Sequence, residues 1–267
     1  MNKQLEIFAP LLNDFYAETK DLSFDNIPSI FIPHVKHGYH KSERKVFYFG
    51  QDTKGWGDTK GDIFNRNEEQ SIKEYIDSSS WWLNSSWLWH ADNKRILGFW
   101  LLVTKLHLRL NKVNERVSIN NKLEDKYKEI LNDFGWGNIH SIQIPASFSR
   151  VEWSKINKEH YKIIKEKSKK LDSVVHTIKA FNPDLIFIFN WEQYKSVFLE
   201  EFKMEDELEI NEKLDHVNKH FQIIKLKNYN SYIIWTVHPV YLPRIGSSSD
   251  KLVEIIMKEL REREIID

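Results

Sequence analysis

Four short apolar segments, separated by stretches with helical periodicity, constrain the fold of this chain more than any other feature. Each is rich in β-branched or aromatic residues and is bounded by polar or turn residues, as buried strands are. They are KVFYFG (45–50), IHSIQI (139–144), DLIFIFN (184–190) and YIIWTV (232–237). Strands that alternate with helices form a mostly parallel sheet covered on both faces. The sequence therefore predicts an α/β protein, with three α/β/α layers around a central, mostly parallel four-stranded sheet.

The segments between these strands predict the covering helices. An apolar stripe close to a 3.6-residue period runs through residues 154–181, which therefore predict one long amphipathic helix. The run Phe221–Leu226 is expected to pair with the last strand across the turn at 227–231. Residues 28–44 predict a loop. Further helices are predicted at 4–18 with Pro10 as a candidate break, at 94–110, at 192–202, and at 249–264 after a cap within Ser247–Ser249.

Composition limits the chemistry of this chain. It has 267 residues and no cysteine, which excludes disulfides, thiolate metal sites and cysteine-ligated iron–sulfur clusters. The length suits one domain, 1–267, with insertions expected near 78–130 and 200–220. No apolar run is long enough to cross a membrane, and the N-terminus lacks the features of a secretory signal. We therefore expect a cytoplasmic protein, monomeric, with no membrane partner.

Polar residues follow three of the predicted strands directly. Gly50-Gln51-Asp52 follows the first strand, Asn190-Trp191 the third and His238-Pro239 the fourth. In open α/β sheets, ligands bind outside the carboxyl ends of the strands, near the point where the strand order reverses. The sequence therefore predicts a binding site at this edge of the sheet.

The segment GQDTKGWG (50–57) is the first candidate for chemistry. A carboxylate at Asp52, just past a buried strand, can hold a water molecule or stabilise a cation. The glycines allow the backbone to approach a ligand closely. The simpler alternative is an acidic loop cap among turn glycines.

The segment HPVYLPR (238–244) is the second candidate. A histidine at the end of a strand can donate a hydrogen bond to a developing anion. Tyr241 and Leu242 stand between two prolines and are expected to be exposed, as apolar wedges that separate a base from its stack are. The simpler alternative is a histidine held in a proline-rich loop.

Together the two segments resemble the uracil-DNA glycosylase superfamily. That family carries a GQDP-type loop after its first strand and an HPSPL-type loop after its last, and this chain has GQDT and HPVYL in the same order. The segment FNPDLIFIFNW (181–191) is similar to the family's third strand, so the resemblance spans about residues 45–245. It implies a uracil-DNA-glycosylase-like fold and a monofunctional DNA glycosylase, which hydrolyses the N-glycosidic bond of a flipped pyrimidine and leaves an abasic site.

The resemblance also implies roles for individual residues. Asp52 matches the aspartate that positions the attacking water and stabilises the oxocarbenium-like sugar, and Gln51 matches the glutamine beside it. His238 matches the histidine that stabilises the departing base anion. Leu242 matches the leucine that enters the gap left by the flipped base. No metal or redox cofactor is required, and the partner is DNA.

The residues that contact the base are less sharply assigned. The family reads the base edge with an asparagine near the end of the second strand, for which Asn138 is the first choice and Gln143 the second. Phe64 is a candidate for the ring that stacks on the base, and Trp56 is its rival. Asn190 is a further candidate for contact with the base, and the candidates for contact with DNA include Tyr241, Arg244 and Lys54.

One departure from the family motif bears on the substrate. In the GQDPY version of the motif, the tyrosine closes the pocket beside the 5-position of uracil, whereas this chain has Lys54 followed by Gly55. A pocket without that gate is expected to accept a larger 5-substituted pyrimidine. Hydroxymethylated and glucosylated cytosines of phage DNA belong to this class, so repair and antiviral defence are both open.

The charge pattern leaves other functions open. The net charge is zero, but residues 155–170 carry seven lysines against two glutamates, and residues 200–215 carry eight acidic residues against two lysines. A solvated helix face explains either run. His34, His37 and His40 are read as unrelated loop histidines rather than a metal site. The alternative functions are a non-catalytic binding module on the same fold and an unrelated hydrolase acting on nucleosides or nucleotides.

Overall fold

A computed structural model of the chain describes most of the predicted α/β framework. The described residues are 3–19, 21–22, 31–50, 94–114, 117, 126–141, 158–171, 173–190, 210–218, 221–226 and 228–267. The predicted helix at 192–202 and the tryptophan-rich stretch at 81–89 lie outside these ranges.

The described strands form one seven-stranded sheet in the order β1-β3-β2-β4-β7-β6-β5. The four central strands, β3, β2, β4 and β7, are mutually parallel, whereas β1 and the pair β6 and β5 are added antiparallel at the two sides. The sheet therefore contains more strands than the four that were predicted. The strands are β1 (His34–Val35), β2 (Val46–Gly50), β3 (Phe134–Asn138), β4 (Leu185–Phe189), β5 (Ile210–Asn218), β6 (Phe221–Leu226) and β7 (Tyr232–Thr236).

Helices cover both faces of this sheet. The helices are α1 (Lys3–Thr19), α2 (Lys94–Leu110), α3 (Lys126–Ile130), α4 (Lys158–Ser168), α5 (Ser173–Phe181) and α6 (Ser249–Glu262). Successive strand residues point to opposite faces, so Phe47 and Phe49 pack with α1, α4 and α5, while Val46 and Tyr48 pack with α2, α3 and α6. Two apolar cores result, one on each side of the sheet, and the predicted α/β class is confirmed.

The predicted strand at 139–144 is replaced by β3, which ends at Asn138, so the prediction was wrong for residues 139–141, whereas 142–144 lie outside the described residues. The β3 sequence, FGWGN, contains two glycines that read as a turn. Gly135 pairs with Phe47 and Gly137 with Phe49, and a methyl group on either glycine would lie 2.1 Å or 2.6 Å from the facing ring. The glycines therefore make room for two buried phenylalanine rings of the neighbouring strand.

The helix predicted at 154–181 is two helices, α4 and α5, separated by a 3₁₀ turn at Lys169–Leu171. Side chains from elsewhere bind the carbonyl groups at this turn. Ser141 Oγ donates to Leu171 O at 2.5 Å, and His176 Nε2 lies 2.9 Å from Lys170 O. These bonds satisfy acceptors that a continuing helix would use, so the break carries no unpaired carbonyl at these two positions.

Several other predicted elements are present in the structure. Helix α1 runs through Pro10 without ending, because buried residues on both sides of it hold the helix against the core. The predicted pairing of Phe221–Leu226 with the last strand is confirmed, as is the C-terminal helix, which is capped by Ser248 Oγ at 3.2 Å from Lys251 N. The predicted loop at 28–44 contains the short strand β1. None of the described helices is both long enough and apolar enough to cross a membrane.

Candidate functional site

The carboxyl ends of the four parallel strands form the edge at which a site was predicted. The chain continues from β2 to β3 on one side of the sheet and from β4 to β7 on the other, so the strand order reverses between β2 and β4. Ligands in open α/β sheets bind outside this switch point. The register pairs Gly50 with Asn138, and Phe189 with Thr236, so the strand ends lie side by side.

Asn138 lies against the residue that precedes Gln51 and Asp52. It is the last residue of β3 and is 3% exposed, and the Ile139 N–H that follows it donates to Gly50 O at 3.0 Å. A methyl group on Gly50 would lie 2.7 Å from Asn138 Oδ1. Glycine at position 50 therefore lets the first-choice base-reading side chain pack beside the start of the GQDT segment.

Asn190 follows β4 and braces it against β7. Its Oδ1 accepts a hydrogen bond from Trp235 Nε1 at 2.7 Å, and both residues are buried. The carbonyl oxygen of Asn190 is thus committed to a strand-to-strand contact. Any contact of Asn190 with a base is left to its amide NH₂ group.

His238 is positioned by the turn that it begins. It caps a 3₁₀ helix at Pro239–Ile245, and its Nδ1 accepts from the Val240 N–H at 3.3 Å. Burial lowers the pKa of His238 to about 4, because the charged imidazolium loses its solvation. The ring is therefore neutral at physiological pH. Because Nδ1 accepts a hydrogen bond, the proton is assigned to Nε2, which makes Nε2–H a neutral hydrogen-bond donor.

Phe99 joins the ends of three strands, a role that no pattern in the sequence predicts. Its ring lies 6.3 Å from the His238 ring at an interplanar angle of 20°, and 5.5 Å from the Phe189 ring. A methyl group on Gly50 would lie 3.7 Å from its Cε2 atom. Phe99 therefore packs between the end of β2 and the start of the HPVYL segment.

Leu242 is buried, so the expectation that it is exposed was wrong. It is 3% exposed and belongs to the core between the sheet, α2 and α6, whereas Val240 and Tyr241 are 42% and 41% exposed. The Ser247 N–H donates to Leu242 O at 2.9 Å. The short 3₁₀ helix therefore turns Leu242 inward and Tyr241 outward.

Arg244 accompanies the exposed ring of Tyr241. The guanidinium carbon lies 5.2 Å from the centre of the ring, within the range of a cation–π contact, and Arg244 is itself exposed. The surface beyond His238 thus combines an exposed aromatic ring with a positive charge, and contact of these two residues with DNA stays a prediction.

The remaining predicted site residues are Gln51, Asp52, Lys54, Trp56, Phe64 and Gln143, and they lie outside the described residues. The basic run at 155–170 is partly described. Glu18 binds Lys167 at 3.1 Å and Lys170 at 3.0 Å, and Glu166 binds Lys169 at 2.9 Å. Glu18 therefore brings one negative charge from outside the run, which Lys167 and Lys170 share.

A second polar cluster lies toward the amino ends of the strands and has a structural role. His107 is fully buried, with Nδ1 3.0 Å from the Tyr48 hydroxyl and Nε2 bonded to Asp133 and to Ile130 O. Burial raises the pKa of Tyr48 well above its usual value. Both ring nitrogens of His107 are therefore occupied within the protein.

Comparison of the sequence with known families and curated proteins found no match: no model of a known protein family matches the sequence, and no curated protein is significantly similar to it. Within the described part of the chain, no group of three or more histidine, aspartate or glutamate side chains is placed to hold a metal ion. The strand ends around Phe99 are thus the candidate site on grounds of geometry alone.

Proposed function

We propose that this chain is a monofunctional DNA glycosylase. It flips a pyrimidine nucleotide out of DNA, hydrolyses the N-glycosidic bond and leaves an abasic site. One observation carries the proposal: a half-buried, neutral histidine lies at the carboxyl edge of the sheet, across Phe99 from Gly50, the residue that leads directly into Gln51-Asp52.

The reaction needs opposite charges to be stabilised at two places. The bond from C1′ to the base nitrogen breaks, and its electron pair leaves with the base while C1′ becomes oxocarbenium-like. Water adds its oxygen to C1′ and its proton is released, so the base is finally protonated. Nε2–H of His238 donates to the anionic base oxygen, and the carboxylate of Asp52 stabilises the sugar cation and orients the water.

The spacing of the strands supports this division of roles. Strand β4 lies between β2 and β7, so at about 4.8 Å per strand the ends of β2 and β7 are roughly 10 Å apart. That gap is comparable with the length of one nucleoside. Asn138, at the end of β3 on the far side of β2, carries a side-chain amide, the kind of group that can read a base edge.

The substrate class follows from Thr53 and Lys54, which stand where the GQDPY motif has its proline and tyrosine. Without a ring against the 5-position of the pyrimidine, the pocket accepts a bulky substituent. We therefore propose uracil or a 5-modified cytosine, such as hydroxymethylcytosine or its glucosylated form, as the excised base.

The test is cleavage of defined DNA. Oligonucleotides carrying uracil, hydroxymethylcytosine, glucosylated hydroxymethylcytosine or ordinary bases are incubated with the protein and then treated with alkali, which breaks the strand at abasic sites. Wild-type protein is expected to produce breaks at one of the first three bases. His238→Ala is expected to reduce the rate about 100- to 1000-fold, as loss of one oxyanion donor does, and Asp52→Ala is expected to abolish the breaks.

Two exposed residues away from this edge provide matched controls, His40→Ala and Asp14→Ala, which are expected to cleave at the wild-type rate. Binding to DNA without any strand break would overturn the enzyme and favour the non-catalytic binding module. Excision of uracil alone would leave the enzyme in place and overturn the proposal for bulky modified cytosines.

A further inference from the structure

We infer that Tyr241, and not Leu242, enters the DNA stack in the place of the flipped nucleotide. The inference rests on the proposed function and names the residue that makes base flipping possible. It is carried by the opposite burial of the two neighbours, since Tyr241 is 41% exposed and Leu242 only 3%.

Leu242 is held inside the protein from two directions. Its side chain belongs to the core that includes Leu252 and Ile256 of α6. Its carbonyl oxygen accepts from the Ser247 N–H at 2.9 Å, next to Gly246, whose φ of 64° closes the 3₁₀ helix. Leu242 could reach a base stack only if this helix unwound and the core opened.

Tyr241 has the shape and the setting of a wedge. Its ring centre lies 6.4 Å from that of His238. A Tyr241 ring inserted into the stack would therefore lie next to the histidine that donates a hydrogen bond to the departing base. Aromatic rings stack on bases of any sequence, and a tyrosine loses little side-chain entropy when it is fixed. Val240, 42% exposed, widens the apolar surface beside it.

The positive charge of Arg244 beside this surface suits duplex DNA as its partner. The Arg244 guanidinium lies 5.2 Å from the Tyr241 ring centre and is exposed, so it accompanies the ring toward the phosphates that flank the gap. Pro239 and Pro243 restrict the backbone on either side of Tyr241. The surface is thus preformed, with an apolar ring to replace a base and a cation to bind the backbone.

The experiment compares one target base in two settings, paired within a duplex and in a single strand. A wedge is needed only where a stack must be opened and refilled. Tyr241→Ala is therefore expected to slow excision from the duplex by about 10- to 100-fold, the cost of one lost base–aromatic stack. Excision from the single strand is expected to change less than about twofold, and Tyr241→Phe to keep duplex activity because the ring is retained.

Two further variants serve as controls. Ile163→Ala removes another exposed apolar side chain, on α4, and is expected to leave both rates unchanged. Leu242→Ala is expected to lower the melting temperature, because a buried side chain is lost, while the ratio of duplex to single-strand rates stays at the wild-type value.

The outcomes separate this inference from the proposed function. Wild-type excision with a duplex rate unaffected by Tyr241→Ala, or with equal losses on both substrates, overturns the wedge and leaves the glycosylase in place. A selective loss of duplex activity in Leu242→Ala would also overturn the assignment of the wedge to Tyr241, and it too would leave the glycosylase in place. Absence of excision by the wild-type protein on every substrate overturns both.

Discussion

At the scale of single residues, His238 shows how burial selects a chemical state. The loss of solvation disfavours the imidazolium, and the hydrogen bond from the Val240 N–H fixes the lone pair on Nδ1. A neutral donor suits the proposed reaction, since it stabilises a base anion without first having to be charged. The same reasoning assigns the donor atom, Nε2.

The protonation state of His238 can be measured directly. In a ¹⁵N-labelled protein, we expect the His238 imidazole to stay neutral at pH 6, with its proton on Nε2, and to titrate near pH 4. In denaturant the same histidine should titrate at about 6.5, the value of an unperturbed side chain. A midpoint near 6.5 in the folded protein would contradict the assignment.

Phe99 is expected to maintain this state, because its ring packs against His238 and excludes water. Phe99→Ala should therefore raise the pKa of His238 from about 4 toward its ordinary value. Leu110→Ala, at the opposite end of the same helix, should reduce stability without moving that pKa. Equal pKa values in the two variants would show that Phe99 does not control the hydration of His238.

At the scale of elements, the sequence predicted three of the four parallel strands, which are continuous apolar runs, and missed the fourth, β3, which is not. β2, β4 and β7 have buried side chains at nearly every position, whereas FGWGN alternates large residues with glycine. The space at each glycine is defined by a ring on another strand, which no local pattern reveals. For the same reason periodicity could not distinguish the inward-facing Leu242 from the outward-facing Tyr241.

The glycines of β3 provide a test of this packing. A methyl group on Gly135 would lie 2.1 Å from the buried Phe47 ring, so Gly135→Ala should lower the free energy of unfolding by about 1–3 kcal/mol, as overpacking does. Gly98→Ala is the control, because no atom lies within 4 Å of the added methyl group and alanine favours the helix.

Urea denaturation of the two glycine variants measures the difference. Phe47→Leu in the Gly135→Ala background should recover part of the loss, since the smaller side chain relieves the clash. A Gly135→Ala protein as stable as Gly98→Ala would contradict the close contact between β3 and β2.

At the scale of the whole molecule, the topology was more predictable than the site. Alternation of strands and helices indicated the class of fold, and the positions that follow the strands indicated a candidate edge for the site. That edge brings Asn138, Asn190 and His238 onto neighbouring strand ends, although they are far apart in the sequence. The orientation of each side chain at that edge depends on contacts between elements, which residue type alone does not specify.

Two histidines, His34 in the core and the half-buried His238, couple the stability of the whole molecule to pH. Burial lowers the pKa of His34 to about 3 and that of His238 to about 4. His34 is 2% exposed, and its Nδ1 lies 3.3 Å from the Gln4 amide nitrogen, a contact that suits the neutral ring. Above pH 6.5 neither the folded nor the unfolded protein protonates these groups. Below it the unfolded chain takes up protons that the folded protein does not bind. The free energy of unfolding therefore decreases as the pH is lowered.

The expected loss is about 1.4 kcal/mol per pH unit for each histidine, or roughly 2 kcal/mol each at pH 5. It should level off as the pH passes about 4 for His238 and about 3 for His34. Urea denaturation at pH 7.5, 6 and 5 measures this slope. His34→Gln should remove about half of it, whatever its effect on stability at pH 7.5, because the substituted side chain no longer titrates. A wild-type stability that is constant from pH 7.5 to 5 would mean that both rings become charged within the folded protein, which would leave His238 without the neutral state on which its proposed role depends.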